Sequence, residues 1–312
     1  MADMTFSGVT FDGGFAITLP PPPSYKAIFG YGQMSASPYY SSIVNLVSNT
    51  GVVANDTTSV GTARQYLAAA GYGTDKAIFG YGSLAAGVVS ITNLVSNAGL
   101  VASDTTGVGT ARFDLSATGY GTDKAIFGFG AIGAPNFTRQ SMTNLVSNTG
   151  VVATDTSTVA TAARGRAAAG YGSSGQAIFG YGSPGSNNLV SNTGVVASDT
   201  TIVGTERYSL AAASYGSDKA IFGYGDTGSV TAITNLVSNT GVVATDTTGV
   251  GTARKQLAAA GYGVGTAIFG YGGTPSQASM TNLVSTTGVV ATDTTGVGTG
   301  RYNLAAASYG LA

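Results

Sequence analysis

Six-fold internal repetition constrains the fold of this chain more than any other feature of the sequence. A tag of the form A-I-F-G-[YF]-G begins at Ala27, Ala77, Ala125, Ala177, Ala220 and Ala267. Each copy is followed by a second tag, L-V-S-[NT]-x-G, and then by an arginine and an Ala-rich run that ends in Tyr-Gly. Three interleaved motifs in one register do not arise by chance. A repeat of roughly 40–50 residues is typical of propeller blades and solenoid turns.

The composition excludes several classes of function. The formal net charge of the 312 residues is −1, so the chain lacks the basic surface that nucleic-acid binding needs. The chain contains neither Cys nor His, so we expect no disulfide, no cofactor and no metal centre built on soft ligands. No apolar run approaches the roughly 18 residues of a membrane span, and the first residues lack the features of a signal peptide. We therefore expect no membrane insertion and no secretion by a standard signal.

Each unit is predicted to form four short antiparallel strands. In the second unit these are residues 67–72, 76–81, 92–96 and 100–103. The first two are joined by a turn at 73–75 and the last two by a turn at 97–99, both with turn-forming residue types. Four short strands and two tight turns per unit describe a propeller blade.

The two ends of the chain complement each other. The first unit begins at its second strand, Lys26, and the chain ends on an Ala-rich first strand at residues 304–309. The C-terminal strand can therefore complete the first blade, which would remove two exposed sheet edges. An open solenoid would instead need polar caps. The sequence thus favours an all-β, six-bladed, closed propeller over residues 26–312.

Residues 1–25 lie outside the repeat. Two alternating stretches flank a turn at 12–14 and predict a short β-hairpin, and Pro20 to Pro23 form a stiff spacer. Two interpretations remain open: a strand pair packed on the main body, or an anchor that inserts into a partner protein.

Two charged positions recur in every unit. Their six-fold repetition indicates a structural role, because an active site is rarely six-fold. The sequence predicts an Asp/Arg belt between blades, in which each Asp also caps a turn. Calcium binding at each blade, or a cationic ring around an anionic ligand, are the alternatives. The belt comprises Asp56, Asp104, Asp155, Asp199, Asp246 and Asp293 with Arg64, Arg112, Arg164, Arg207, Arg254 and Arg301.

The connection between the second and third strands differs in every unit, while the rest barely changes. It spans residues 33–44, 83–92, 131–143, 183–187, 226–234 and 273–281. Variation of this kind maps to loops on one face, often the binding face. Two loops carry side chains suited to recognition, so we expect ligand or partner contacts there; the alternative is that these loops are simply unconstrained. The candidates are Met34, Tyr39 and Tyr40 in the first loop and Asn136, Phe137 and Arg139 in the third.

The order of motifs resembles the kelch repeat. Arg64 to Tyr72, Ile78 to Gly82 and Leu94 to Gly99 follow the kelch order of an Ala/Gly-containing first strand, a second strand ending in a Gly pair and a polar turn. Gly-Tyr-Gly replaces the double glycine, however, and the chain has no Trp. The motifs K-A-I-F-G-Y-G and N-L-V-S-N-T-G-V-V-A-T-D-T-T-G-V-G-T-A-R are similar to repeats of structural and tail proteins of aquatic bacteriophages, including cyanophages. That resemblance covers about residues 26–312 and implies no catalytic residues.

These observations predict a function in a virus particle. The resemblance implies a virion component, made in the host cytoplasm, such as a tail-fibre or tail-tip propeller. We expect residues 1–25 to join it to other virion proteins and the variable loops to face a host-surface glycan or protein. A homo-oligomer is compatible with this expectation. The alternative is a free multivalent carbohydrate-binding lectin. An enzyme is disfavoured, because the non-repeated acids Asp114, Glu206 and Asp226 form no evident catalytic pair.

Overall fold

The computed structural model describes residues 25–133 and 137–310, and within these ranges all regular secondary structure is β. The predicted N-terminal hairpin and spacer, and Asn136 of the third loop, lie outside the described residues. None of the described residues belongs to a helix that could cross a membrane. The strands form several small antiparallel sheets, as the repeat pattern predicted.

Six of these sheets share one plan, with an Ala-rich inner strand, a middle strand and an outer strand. The middle strands, in units 1 to 6, are Lys26–Gly30, Lys76–Gly80, Lys124–Gly128, Gln176–Gly180, Lys219–Gly223 and Thr266–Gly270. The inner strands of the same units are Ala305–Tyr309, Ala68–Tyr72, Ser116–Tyr120, Ala167–Tyr171, Ala211–Tyr215 and Ala258–Tyr262. The outer strands are Ile43–Val47, Thr92–Val95, Thr143–Val146, Asn188–Val190, Thr234–Val237 and Thr281–Val284.

The C-terminal strand pairs with the first strand of the repeat. Ala305–Tyr309 lies antiparallel to Lys26–Gly30, with Lys26 opposite Tyr309 and Gly30 opposite Ala305. This is the pairing that the complementary chain ends predicted. The first sheet therefore contains residues from both ends of the repeat region.

The prediction of four full strands in each unit was wrong. Within residues 25–133 and 137–310, only unit 1 has a regular fourth strand, Thr57–Thr58. In unit 2 the corresponding segment makes isolated bridges from Val95 to Val101 and from Thr92 to Thr105. Between these bridges Asn93 Nδ2 donates to the Ala102 carbonyl at 3.0 Å, and Asn45 makes the same bond to the Ala54 carbonyl in unit 1.

Neighbouring units interlock through an aromatic ring and a glycine. The Phe79 side chain of unit 2 packs against Gly30 of unit 1, where an added Cβ would lie 2.7 Å from Phe79 Cζ. The same phenylalanine meets the edge of Tyr31, with ring centroids 5.1 Å apart. Equivalent ring pairs join each unit to the next, and the last, Tyr271 with Phe29, joins unit 6 to unit 1.

Two cyclic series of backbone hydrogen bonds link the ends of the inner strands. At one end lie six residues with left-handed backbone, which we call the mouth ring. Each donates its N–H to the carbonyl of its counterpart in the preceding unit over 2.8–3.1 Å, and the N–H of Tyr66 donates to the Asn303 carbonyl. The mouth ring comprises Tyr66, Asp114, Gly165, Ser209, Gln256 and Asn303, with φ between 53° and 63°.

The opposite end of the inner strands carries a second series, formed by the turns that lead to the middle strands. Glycine N–H groups of these turns donate to carbonyls of the following unit over 2.7–2.8 Å. The series starts with Gly73 donating to Asp123 and returns with Gly263 donating to Tyr25 and Gly310 donating to Asp75. Both series connect all six units.

Candidate binding face

The variable loops and the mouth ring lie on the same side of the sheets. The residue before each mouth-ring residue forms an antiparallel bridge with the first residue of a variable loop, for example Gln65 with Ser83 and Phe113 with Ala131. We call these six preceding residues the flanking ring: Gln65, Phe113, Arg164, Tyr208, Lys255 and Tyr302. Mouth ring, flanking ring and loops together form what we call the variable face.

The two rings are as variable as the loops. The flanking-ring residue and the mouth-ring residue form a different pair in every unit, although Tyr208 and Tyr302 share the flanking position. Their side chains range from glycine to aromatic, acidic, basic and amide groups. The sequence prediction missed these positions because they are only two residues long and adjoin a constant tag. Sequence variation between the units, which identified the loops, could also have identified the positions of the two rings.

A small depression opens inside the mouth ring. Its volume is about 80 Å³. Leu67, Leu115, Leu210, Leu257 and Leu304, each 5–7% exposed, line it together with Arg166 and the mouth ring. The depression is therefore lined by residues from all six units, and its leucines are nearly buried.

Asp114 is the one acidic member of the mouth ring. Burial raises the pKa of its carboxyl to about 7, and the positive charge of Arg164 opposes this rise only in part. The nearest cationic atom, Arg164 Nη1, lies 4.0 Å from the carboxylate, which is too long for a hydrogen bond. The mouth ring thus contains a carboxylate whose pKa is raised by burial and whose ion pair with Arg164 is long.

A row of aromatic rings leads from the mouth ring to the third loop. Tyr66 meets Phe113 at a centroid distance of 5.7 Å, and Phe113 meets Phe137 at 5.3 Å, both edge-on. The Arg164 guanidinium lies 5.0 Å from the centre of the Phe137 ring. Phe137 keeps 46% of its surface exposed. This row is specific to one sector of the face.

The predicted loop residues fall in two separate sectors. In the first loop the backbone N–H of Met34 donates to the Tyr39 carbonyl at 2.9 Å, and Tyr39 is 58% exposed while Met34 and Tyr40 are half-buried. In the third loop Arg139 is exposed and donates to the Ser183 hydroxyl at 3.4 Å. The structure therefore places Phe137, but not the first loop, beside the aromatic row.

The predicted Asp/Arg belt is mediated by an asparagine that the sequence prediction missed. In unit 2 the buried Arg64 donates from Nη2 to Asn93 Oδ1 at 2.7 Å, and Asn93 Nδ2 donates to Asp104 at 2.8 Å. Asp104 also accepts from the backbone N–H of Thr62 at 3.1 Å, while the Arg64 guanidinium stacks on Tyr31 of unit 1. The same polar chain recurs in each unit through Asn45, Asn93, Asn144, Asn188, Asn235 and Asn282.

The belt is a structural network. Burial would raise the pKa of Asp104, but hydrogen bonds from Thr62 and Asn93 outweigh it and hold that pKa below its usual value of 3.8. Direct Arg–Asp contacts are long, at 3.8 Å for Arg112 with Asp155. Among the described residues, no three acidic side chains gather in a way that could hold a metal ion.

One arginine of the predicted belt is misplaced. In unit 4 the repeat position holds Ala163, and it is Arg166, from the position of a leucine elsewhere, that fills the buried site. Arg166 donates to Asn188 at 2.6 Å and to the Tyr181 carbonyl at 3.1 Å, and it stacks on Phe129. Arg164 lies instead in the flanking ring. Counting from the Tyr-Gly tag rather than from the first arginine would have identified the exchange.

A larger funnel, of about 570 Å³, opens at the opposite end of the inner strands. Its lining is mostly glycine, serine and threonine of the inner strands and the turns that follow them, together with six tyrosines. Two lysines that line it, Lys76 and Lys124, are paired with Asp75 and Asp123 at 2.6 and 2.8 Å. The funnel is therefore lined mainly by residues that repeat from unit to unit, whereas the variable face carries side chains that differ between units.

Comparisons with known proteins add no relative. No protein-family model matches the chain, and a search of curated proteins finds no significant match. The function has to be argued from the variable face itself.

Proposed function

We propose that residues 26–312 form a closed, six-bladed, kelch-like propeller that serves as a bacteriophage virion protein in a tail fibre or tail tip. In this proposal residues 1–25 attach it to other virion proteins, and the variable face contacts a glycan or protein on the host surface. The cyclic hydrogen-bond series, the ring pairs between units and the pairing of Lys26–Gly30 with Ala305–Tyr309 support the closed architecture. The resemblance of the repeat motifs to those of phage structural and tail proteins supports the virion assignment.

One observation carries the assignment of the binding surface: the positions that differ most between units are gathered on one side. Loops, flanking ring and mouth ring are distant in each repeat's sequence but joined by bridges such as Gln65 with Ser83. The scaffold below them is nearly identical in all six units. A constant scaffold under variable side chains is the usual arrangement of a recognition surface.

A cell-binding assay tests the display function. Fluorescently labelled protein is mixed with a panel of aquatic bacteria, including cyanobacteria, and bound fluorescence is measured. We expect binding to a subset of strains and a loss of at least about tenfold for Phe137→Ala combined with Tyr39→Ala. Val151→Ser, which alters an equally exposed residue at a repeated position, serves as the control. Binding that survives the double change would refute the proposed surface.

Detection in particles tests the virion assignment. Mass spectrometry of purified phage that encodes the chain should find its peptides at a fixed copy number per particle. Deleting residues 1–23 should remove the protein from particles while leaving the repeat region folded. Normal incorporation of the deleted form would contradict the anchoring role.

A multivalent lectin remains the second candidate, because most positions repeat nearly unchanged in six units. The lectin hypothesis predicts several equivalent ligand sites per chain, built from constant positions. Binding at the variable face predicts one ligand site per chain. Calorimetric stoichiometry with any glycan that binds separates the two.

A further inference from the structure

We propose that the funnel end of the inner strands is the surface by which a partner protein in the particle holds this chain, through apolar contacts around the funnel. This inference rests on the proposed attachment through residues 1–25. It assigns an orientation: the funnel end faces the particle, and the variable face points away from it.

Each unit exposes one aliphatic side chain beside the turn that follows its outer strand. This residue comes directly after the turn glycine and is 65–72% exposed. The next residue, such as Val196 at 6% exposure, packs into the core between the sheets. The inward residue therefore supplies the core contact, and the outward one is left for solvent or a partner. We call the six outward residues the aliphatic ring: Val52, Leu100, Val151, Val195, Val242 and Val289.

The contacts of these turns place the aliphatic ring around the funnel. An added Cβ at Gly51 would lie 2.7 Å from the Tyr262 hydroxyl oxygen, and one at Gly150 would lie 2.9 Å from that of Tyr72. Both tyrosines line the funnel. The equivalent glycine meets the last tyrosine of an inner strand in all six units. The aliphatic ring therefore surrounds the funnel at the end opposite the variable face.

The ring position stays aliphatic where a nearby exposed position varies. Three residues further along, the exposed side chain is asparagine, serine or threonine in different units, as at Asn55, Ser103 and Thr154. The ring position holds only valine or leucine. A single exposed aliphatic residue is ordinary on a protein surface. Its recurrence at one end of all six units is what indicates a contact surface.

The chain enters the first unit at the same end. The Tyr25 N–H donates to the Gly263 carbonyl at 3.1 Å, and the Gly263 N–H donates back at 2.7 Å. Tyr25 and Val264 line the funnel and are 37% and 48% exposed. An added Cβ at Gly263 would lie 2.8 Å from the Asn49 carbonyl oxygen, in the turn that carries Val52. The chain start therefore lies beside the aliphatic ring.

The chain before Tyr25 indicates which partner covers the ring. Residues 20–23 are four prolines, for which the sequence predicts a stiff spacer of about 12 Å at ~3.1 Å per residue. A protein that holds residues 1–19 is thereby kept close to the funnel end, where it can contact the ring. The variable face, at the opposite end, stays free for a host surface.

The charges at the funnel end are paired within the chain. Lys76 contacts Asp75 at 2.6 Å, and Lys219 contacts Asp218 at 2.7 Å. These pairs need no opposite charge from a partner, so the exposed aliphatic side chains remain as the contacts on offer. Depletion of charge with apolar contact is typical of the central part of protein interfaces. The partner surface that fits this end is therefore apolar and poor in charge.

The test measures incorporation of full-length variants into particles of a phage that encodes the chain. Quantitative mass spectrometry of purified particles should give a copy number at least about tenfold below wild type for the ring variant. The purified ring variant should keep the unfolding temperature and the cell binding of the wild type, since its altered side chains are exposed and distant from the variable face. The ring variant combines Val52→Thr, Leu100→Thr, Val151→Thr, Val195→Thr, Val242→Thr and Val289→Thr.

The matched control is Val60→Thr combined with Val159→Thr. These valines occupy equivalent positions in units 1 and 3 and are 71% and 76% exposed. They lie away from the funnel: next to Val60, the Ser59 N–H donates to the Ser42 carbonyl at 3.0 Å, before the outer strand begins. The control should be incorporated like the wild type.

Normal incorporation of the ring variant, with incorporation abolished by deleting residues 1–23, would refute this inference and leave the proposed function standing. An equal loss in the control would also refute it. If light scattering shows a wild-type dimer that the ring variant converts to a monomer, the ring contacts a second copy and the inference is overturned. Absence of the wild type from particles would refute the virion assignment and this inference with it.

Discussion

The exchange of arginine positions in unit 4 provides a quantitative test of how the units are joined. Arg166→Leu restores the leucine of the other units but removes the guanidinium from the buried site. It leaves the Tyr181 carbonyl, the Ser186 carbonyl and the Asn188 amide oxygen without the donors that Arg166 supplies. Each orphaned acceptor costs about 1–3 kcal/mol, and the lost contact with Phe129, 4.2 Å from guanidinium to ring centre, about 1–2 kcal/mol. The leucine side chain recovers part of this, so we expect a loss of about 3–5 kcal/mol.

The second half of the test adds Ala163→Arg. In the other units an arginine at this position makes the same contacts, so the double variant should return to within about 1 kcal/mol of the wild type. Ala163→Arg alone should be destabilised, because two guanidinium groups then compete for one site. Urea unfolding of all four proteins gives the coupling energy. A coupling below about 1 kcal/mol, or a double variant no more stable than Arg166→Leu, would refute the equivalence of the two positions.

Three further predictions concern packing, closure and pH. Gly80→Val should cost about 2–4 kcal/mol in urea unfolding, because an added Cβ would lie 2.7 Å from Phe127 Cζ; a cost under 1 kcal/mol would contradict the packing described. Deleting residues 301–312 should expose the edge of Lys26–Gly30 and cause aggregation in size-exclusion chromatography, whereas a monomer with unchanged Tm would argue against closure. The pKa of Asp104 and its five equivalents is lowered in the folded state, so the stability they contribute is present above their ordinary value of 3.8 and is lost as pH falls through the folded value. Thermal unfolding from pH 6 to pH 2 should show this loss, and a flat profile would contradict it.

The repeated part of the fold could be predicted because the same motifs occur in all six units. The tag around Ile78 and Phe79 combines β-branched and aromatic residues, and the strand Lys76–Gly80 lies where the tag is. The Ala-rich run and the turn before the tag fixed the inner strand and its partner. The pairing of the chain ends followed from the phase of the repeat.

The asparagine and its bond to the backbone could not be predicted from strand propensity. Asn93 Nδ2 donates to the Ala102 carbonyl within the segment predicted to form a fourth strand, and Asn45 makes the same bond to the Ala54 carbonyl in unit 1. Strand propensity describes the preference of the backbone for an extended conformation. It does not predict that a side chain will donate to a backbone carbonyl in place of a neighbouring strand. A polar residue repeated six times within an otherwise apolar tag was the available signal.

The candidate site was predicted only at its periphery. Loop variation identified Phe137 but not Phe113, Tyr66 or Asp114, which become neighbours of the loop through the bridge between Phe113 and Ala131. Which side chains share a surface depends on pairings between distant segments. Arg164 shows the same limit, since local spacing placed it in the belt and the register of the unit places it on the variable face.

A crystal structure of the full chain tests the central claim, the cyclic arrangement of six units, most directly. The arrangement predicts Ala305–Tyr309 beside Lys26–Gly30, and the Tyr66 N–H donating to the Asn303 carbonyl at about 2.9 Å. An elongated stack of units, or Asn303 far from Tyr66, would contradict the closed arrangement and with it the mouth ring and the variable face.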